Sequence, residues 1–234
     1  AGRYELTLMV HPDADASDLS AHGRVVRARL GDLEQLKEHF AGQDTIVHLA
    51  ANPAPDATWE SVQRDNITGT YHAFVAGESA GCRRVVYASS VHAVSGYAAE
   101  RQVHADEPVN PGDLYGVSKC FGEAMGRYLA VQRGLSVICI RIGAFLSRES
   151  AEDPQRTPLV DVFVSRRDLH QLIERCIDNE DLRFAIVHGL SNNRFHRMDV
   201  TEAKELVGYE PVDDLSERNP ALRDVDLGSA GQSH

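Results

Sequence analysis

Short apolar runs rich in β-branched residues, at 5–10, 24–28, 44–50, 84–89, 136–142 and 184–188, alternate with segments of helical spacing at 32–40, 57–80, 114–133, 166–179 and 199–207. This alternation constrains the fold more than any other feature. Parallel neighbours need a crossover between them, and a helix is the usual one. The chain therefore reads as α/β, a doubly wound, mostly parallel sheet covered by helices on both faces. Local signals agree with the boundaries. Asp113 or a neighbour, after Pro111-Gly112, can cap the 114–133 helix, while Gly134 and Gly208 stop the helices before them. From about residue 216 the chain turns polar and ends Gly-Ser-Ala-Gly-Gln-Ser-His, which reads as a loose tail.

At 234 residues the chain suits one large domain, or one domain with a small appendage, and 42% hydrophobic residues with 6% aromatics is ordinary for a globular protein. The expected division is 1–143 for the main sheet and 144–234 for a smaller region that returns to it. No run approaches the roughly 20 apolar residues of a membrane span, and no signal-peptide pattern opens the chain, so a cytoplasmic setting is expected. The net charge of −11 comes from interspersed acids and bases, which disfavours a nucleic-acid partner. Cys82, Cys120, Cys139 and Cys176 form no Cys-x-x-Cys pair, and three lie in or beside apolar runs. Free thiols are expected. His11, Asp13 and Asp15 suggest a metal loop only briefly, because Asp18 and Arg24 stand where a calcium loop needs Gly and Glu. No metal site is expected.

The chemistry concentrates in two runs: Arg84-Val-Val-Tyr-Ala-Ser-Ser90, a strand, and Leu114-Tyr-Gly-Val-Ser-Lys-Cys-Phe-Gly-Glu123, a helix. On a helix Tyr115 and Lys119 are i and i+4 and share a face. A Ser at the strand end could meet them over one reactive carbon. Removing a hydride from an alcohol carbon needs a base for the hydroxyl proton, and a free Tyr, pKa about 10, is a poor one at neutral pH. A nearby ammonium would favour the phenolate, and a Ser hydroxyl could donate to the substrate oxygen as charge develops.

Ser90, Tyr115 and Lys119 in that order and spacing resemble the short-chain dehydrogenase/reductase superfamily, in its extended, sugar-modifying branch. Ala88-Ser-Ser-Val-His92, the 114–123 run and Arg141-Ile-Gly143 are most similar to uronate dehydrogenases, which oxidise the C1 hemiacetal of a hexuronate to a lactone with NAD. The resemblance implies a Rossmann-like fold. It makes Ser90, Tyr115 and Lys119 catalytic, with Lys119 also holding the nicotinamide ribose and lowering the Tyr115 pKa. Cofactor contacts would come from His11, Leu30, Leu49, Ala50, Ala51, Asn66, Tyr115, Lys119 and Ile142. Substrate contacts would come from Asn52, Ser90, Val91, His92 and Arg156, the last as a carboxylate clamp. Val91 and Pro53 replace polar residues of that group.

The cofactor implied is NAD, with NADP left open because His11 occupies the place of the usual acidic residue and Arg29 that of a frequent Asp. The partner implied is a small sugar, and homo-oligomerisation stays open. Nucleotide-sugar epimerases and dehydratases share the same three residues and form the alternative reading, beside a non-catalytic binding protein of the same fold. The superfamily's Gly-rich turn between first strand and first helix has no counterpart here. The opening residues resemble the second strand instead, so the first strand and helix are expected to be missing from residues 1–234.

Overall fold

The computed structural model describes residues 2–54, 56–146, 159–219, 222 and 223. Strands β1 (Thr7–Val10) and β2 (Arg24–Arg27) form one parallel pair, followed by helix α1 (Leu33–Phe40). β3 (Thr45–His48) opens a second parallel sheet. A helical segment follows in three parts: α2 (Trp59–Ser61), a wider-wound π stretch (Val62–Thr68) and α3 (Gly69–Ser79). Next come β4 (Arg84–Ser90), α4 (Leu114–Tyr128) with a further π turn (Leu129–Arg133), and β5 (Ser136–Ile142). The short pair β6 (Ala144–Phe145) and β7 (Phe163–Val164) precedes α5 (Arg166–Asp178), β8 (Phe184–Gly189), α6 (Thr201–Val207) and α7 (Leu215–Arg218).

The larger sheet runs β3-β4-β5-β8, every pair parallel, with Ser90 opposite Ile142 and His48 opposite Tyr87. β4 is buried along its whole length, as its unbroken Arg-Val-Val-Tyr-Ala-Ser-Ser run implies for a strand covered on both faces. No ladder joins β1 to β3 among the described residues. The sheet divides between the two strands that the resemblance left without an intervening one. Side chains bridge that division: Met9 and Ala28 from the small pair share a core with Leu36, Phe40, Phe74, Val85, Tyr87 and Val137. A second core fills the opposite face beneath α5 and α6.

The elements follow the sequence signals closely. Ser165 caps α5 by accepting from the Asp168 N–H, and Gly134 and Gly208 adopt left-handed φ of 83° and 67° at the helix ends. One expectation needs correction. The 57–80 helix is not a uniform α-helix, since its centre widens into the π stretch. Leu215 of α7 and Leu222 pack with Val160 and Phe163, and most of the tail expected from about 216 lies outside the described residues. All four cysteines are free thiols, with Cys82, Cys139 and Cys176 buried. No described helix is long and apolar enough to cross a membrane.

Candidate active site

Ser90 is the last residue of β4, where the chain leaves the sheet in a tight turn at Val91–Val94. Its Oγ accepts from the His92 N–H at 3.2 Å and so anchors that turn. Across from it starts α4, capped by Asp113, whose Oδ1 accepts from the Gly116 N–H at 2.6 Å. Two glycines let this helix approach. A Cβ on Gly116 would lie 2.3 Å from the His92 carbonyl oxygen, and one on Gly122 would lie 2.3 Å from the Tyr87 ring. With glycine at both places, the helix brings Tyr115 and Lys119 to the end of β4.

The Ser90 hydroxyl faces the Tyr115 phenol and favours its ionised form. Lys119 Nζ lies 5.3 Å from the Tyr115 ring centroid and 5.1 Å from that of Tyr87, and donates to the Ala88 carbonyl at 2.7 Å. The three residues expected to share a reactive centre are therefore together. Their electrostatics differ from expectation. Burial raises the Tyr115 pKa, Ser90 opposes that by hydrogen bonding, and Asp113 adds to the rise. Lys119 points its ammonium at the strand carbonyl rather than the phenol, and burial lowers its own pKa to about 8. The expected lowering of Tyr115 by Lys119 gives way to lowering by Ser90.

His92 stands edge-on to Tyr115, ring centroids 5.4 Å apart, and its Nδ1 pairs with Asp113 Oδ2 at 2.6 Å. Asp113 thus serves the helix end with one oxygen and orients an imidazole with the other. Sequence reading found Asp113 as a cap but not this second contact, because residues 92 and 113 meet only through the fold. Behind Lys119 lies a further layer that went unread. Tyr87 stacks on His48, and His48 Nε2 lies 3.2 Å from Thr70 Oγ1. Full burial, with Lys119 nearby, drops the His48 pKa to about 3, so His48 stays neutral. A period-two strand pattern signals that such residues face inward but not what they touch.

A cavity of about 660 Å³ opens at the carboxyl ends of β1, β2 and β3. His11, Leu30, Ala50, Ala51 and Asn52 line it, together with Met9, Val10, Ala28, Arg29, Gly31, Arg64 and Asp65. Leu49 and Ile142 are not among these lining residues, and Leu49 is 60% exposed. Past His48 the chain leaves strand geometry, and the consecutive residues Ala50, Ala51 and Asn52 all line the cavity while Leu49 does not. Asn66 is 1% exposed and acts behind the wall. It accepts from the Asn52 N–H (2.7 Å), donates to the Asn52 carbonyl (3.1 Å), and donates to Ser118 Oγ (3.0 Å). Ser118 in turn donates to the Tyr115 carbonyl at 2.6 Å. A continuous hydrogen-bond chain thereby connects the cavity wall to α4. Val91 is buried against Val94, Val103 and Leu190. Arg156 lies outside the described residues.

The cavity's volume falls within the range of small-molecule and cofactor sites. Its walls, apolar at Ala28, Ala50 and Ala51 and polar at His11, Arg29 and Asn52, lie at the carboxyl ends of parallel strands, where α/β sheets bind dinucleotides. Comparison with known proteins agrees. Residues 2–183 match the model of the NAD dependent epimerase/dehydratase family. The chain is 34% identical over 233 residues to an L-arabinose 1-dehydrogenase (NAD(P)(+)) of Haloferax volcanii, covering 91% of this chain and 89% of that protein. It is 32% identical over 192 residues to a uronate dehydrogenase of Pseudomonas putida, covering 82% and 69%. The crystal structure of uronate dehydrogenase from Agrobacterium tumefaciens superposes with a TM-score of 0.80 at 27% identity, covering 95% of this chain and 80% of that one. The fold, the grouping of Ser90, Tyr115 and Lys119 and these matches agree: the chain belongs to the NAD-dependent epimerase/dehydratase family of enzymes, within the short-chain dehydrogenases/reductases.

Proposed function

We propose that the chain is an NAD-dependent sugar dehydrogenase that oxidises the hemiacetal carbon of an aldose or sugar acid to a lactone. The observation that carries this reading is the grouping of Ser90, Tyr115 and Lys119 at the end of β4, with Lys119 Nζ 5.3 Å from the Tyr115 ring centroid. His11, Leu30, Ala50, Ala51 and Asn52 would hold the cofactor, which supplies the hydride acceptor when bound. Tyr115 takes the proton of the C1 hydroxyl as the C1–H bond breaks and the C1–O bond becomes a carbonyl. Ser90, whose single hydroxyl proton favours the phenolate before substrate binds, turns that proton to the C1 oxygen once the sugar is in place. Lys119, anchored on Ala88, sets the depth at which the Tyr115 ring sits. His92, held by Asp113, presents its free ring nitrogen toward the sugar hydroxyls. Val91 is turned into the core, which leaves the substrate side with few polar groups and suits neutral aldoses as well as acids.

The test is a panel of aldoses and hexuronates with NAD, followed by NADH absorbance, in parent and Tyr115→Phe. Turnover in the parent and a loss of at least a hundredfold in the variant, with cofactor binding nearly unchanged, are expected. A variant as active as the parent would remove Tyr115 from the step. Conversion of a nucleotide sugar without net NADH would instead make the chain an epimerase or dehydratase.

A further inference from the structure

Lys119 carries a charge into the core and has few groups to hold it there. It is almost wholly buried, and its ammonium donates to the Ala88 carbonyl at 2.7 Å. Among the described residues no carboxylate pairs with it. Glu123, one turn further along α4, is engaged by Arg141 at 2.9 Å and by Ser89 at 2.6 Å. The other titratable groups packed around it and its neighbour Tyr87 are neutral. His48 on β3 is buried with its pKa at about 3, and burial keeps both the Cys139 thiol on β5 and the Tyr87 hydroxyl protonated.

What the ammonium does meet is the face of an aromatic ring. Lys119 Nζ stands over Tyr87, 5.1 Å from the centroid, inside the roughly 6 Å over which a ring face attracts a cation. The Tyr115 ring lies at 5.3 Å, but that ring gains and loses charge in the proposed reaction. Tyr87 does not. Packing fixes its ring in place. Tyr87 stacks on His48 with centroids 5.9 Å apart, meets Phe74 edge-on at 5.3 Å, and lies against α4 at Gly122, where an added Cβ would come within 2.3 Å of it. Gly122 follows Lys119 by three residues and so lies on the same side of the helix. The close approach that seats the ring under α4 also brings the ammonium over its face. Core filling alone asks for any large apolar side chain here, whereas holding a cation asks for an aromatic one.

We propose that Tyr87 is a positioning residue, its ring face holding the Lys119 ammonium charged and in place beside Tyr115. This rests on the dehydrogenase reading only in giving Lys119 a cofactor to hold. Burial already lowers the Lys119 pKa to about 8. Without the ring face it would fall further, and part of the protein would carry an uncharged amine at neutral pH.

The chain has three lysines, Lys37, Lys119 and Lys204, so NMR of protein carrying isotopically labelled lysine resolves each ammonium, and Lys119→Met identifies the signal of interest. Its titration is followed in the parent, in Tyr87→Phe, and with a trifluorinated phenylalanine at position 87, which keeps the ring's shape but strips electron density from its face. Tyr87→Phe should titrate within about 0.3 pH unit of the parent, because the face is retained. Fluorination should lower the titration by about half a pH unit or more relative to Tyr87→Phe. Phe74→Leu loosens the same core away from the ammonium and should leave the titration where it was. A titration that ignores fluorination, or that moves as far in Phe74→Leu, would overturn the proposal. Should the fluorinated protein melt early, Tyr87→Leu should show the same downward shift. In turnover, the KM for NAD should begin to climb at a pH lower by the same amount, and an onset that stays put while Lys119 moves would overturn the link to catalysis. A fluorine-dependent titration in a protein that oxidises no sugar would keep Tyr87 in this role and reject the sugar dehydrogenase reading.

Discussion

Lys119 is an ammonium that is 2% exposed, with a backbone carbonyl and two aromatic rings for company. Burial lowers its pKa from 10.5 to about 8. That difference corresponds to a burial cost of about 3 kcal/mol, felt in full below pH 8 where both folded and unfolded chains are protonated. Between pH 8 and 10.5 the unfolded chain holds a proton that the folded chain has lost, so stability from this group rises with pH. Lys119→Met should therefore stabilise the fold by about 2 kcal/mol at pH 7, after about 1 kcal/mol is set against the undonated Ala88 carbonyl. The gain should fade by pH 10, as urea titrations at the two pH values would show. A variant less stable than the parent at pH 7 would mean that the ammonium is better solvated than its surroundings imply. Tyr115 yields a second pH prediction. Oxidation needs the phenolate, so kcat/KM should rise with pH. Ser90→Ala, which removes the group that lowers the Tyr115 pKa, should move that rise to higher pH as well as reduce the rate. An unmoved profile would separate Ser90 from the ionisation of Tyr115.

At the scale of elements, the site depends on one helix irregularity and one helix cap. The π stretch Val62–Thr68 turns Asn66 inward, where it closes on Asn52 and Ser118. Wider winding at functional positions is common. Asn66→Ala would leave the Asn52 N–H and carbonyl and the Ser118 hydroxyl without this partner. A loss of about 2–4 kcal/mol in a denaturant titration is expected, and a loss under 1 kcal/mol would mean that water substitutes for the amide. The start of α4 is the other case. Asp113→Ala should cost about 1 kcal/mol through the lost cap, whereas Asp113→Asn keeps the cap and should cost less. Both variants should raise KM for the sugar, because each loosens His92. The Asp113 cap was legible from Pro111-Gly112-Asp113 alone. Neither the π winding nor the His92 contact was, since both come from what the helices pack against.

Across the whole molecule, one buried ion pair ties the layers together. Arg141 on β5 and Glu123 on α4 meet in two contacts of 2.9 Å, at 1% and 3% side-chain exposure, and Ser89 on β4 donates to the same carboxylate at 2.6 Å. Glu123→Ala would strand the guanidinium in the core and should cost about 3–5 kcal/mol. Replacing both, as Glu123→Leu with Arg141→Met, should recover most of that loss, because the penalty belongs to the unpaired charge. Thermal melts of the single and double variants would check this; equal destabilisation by both would point to packing instead.

Residues 84–90 and 114–123 were sufficient by themselves to name the superfamily, the strand, the helix and the residues at their ends. Local periodicity, caps and i, i+4 spacing are properties of contiguous sequence, and the parallel sheet follows from their alternation. Tertiary structure decided the rest. It directed the Lys119 ammonium to Ala88 instead of the phenol, placed Ala50 and Ala51 in the cavity and Leu49 outside it, and joined Arg29 to His11 and Asp13. Each of these depends on distances between residues far apart in the chain or on the twist of a strand end. Desolvation, which sets the ionisation of Tyr115, Lys119 and His48, exists only once the layers have closed over them.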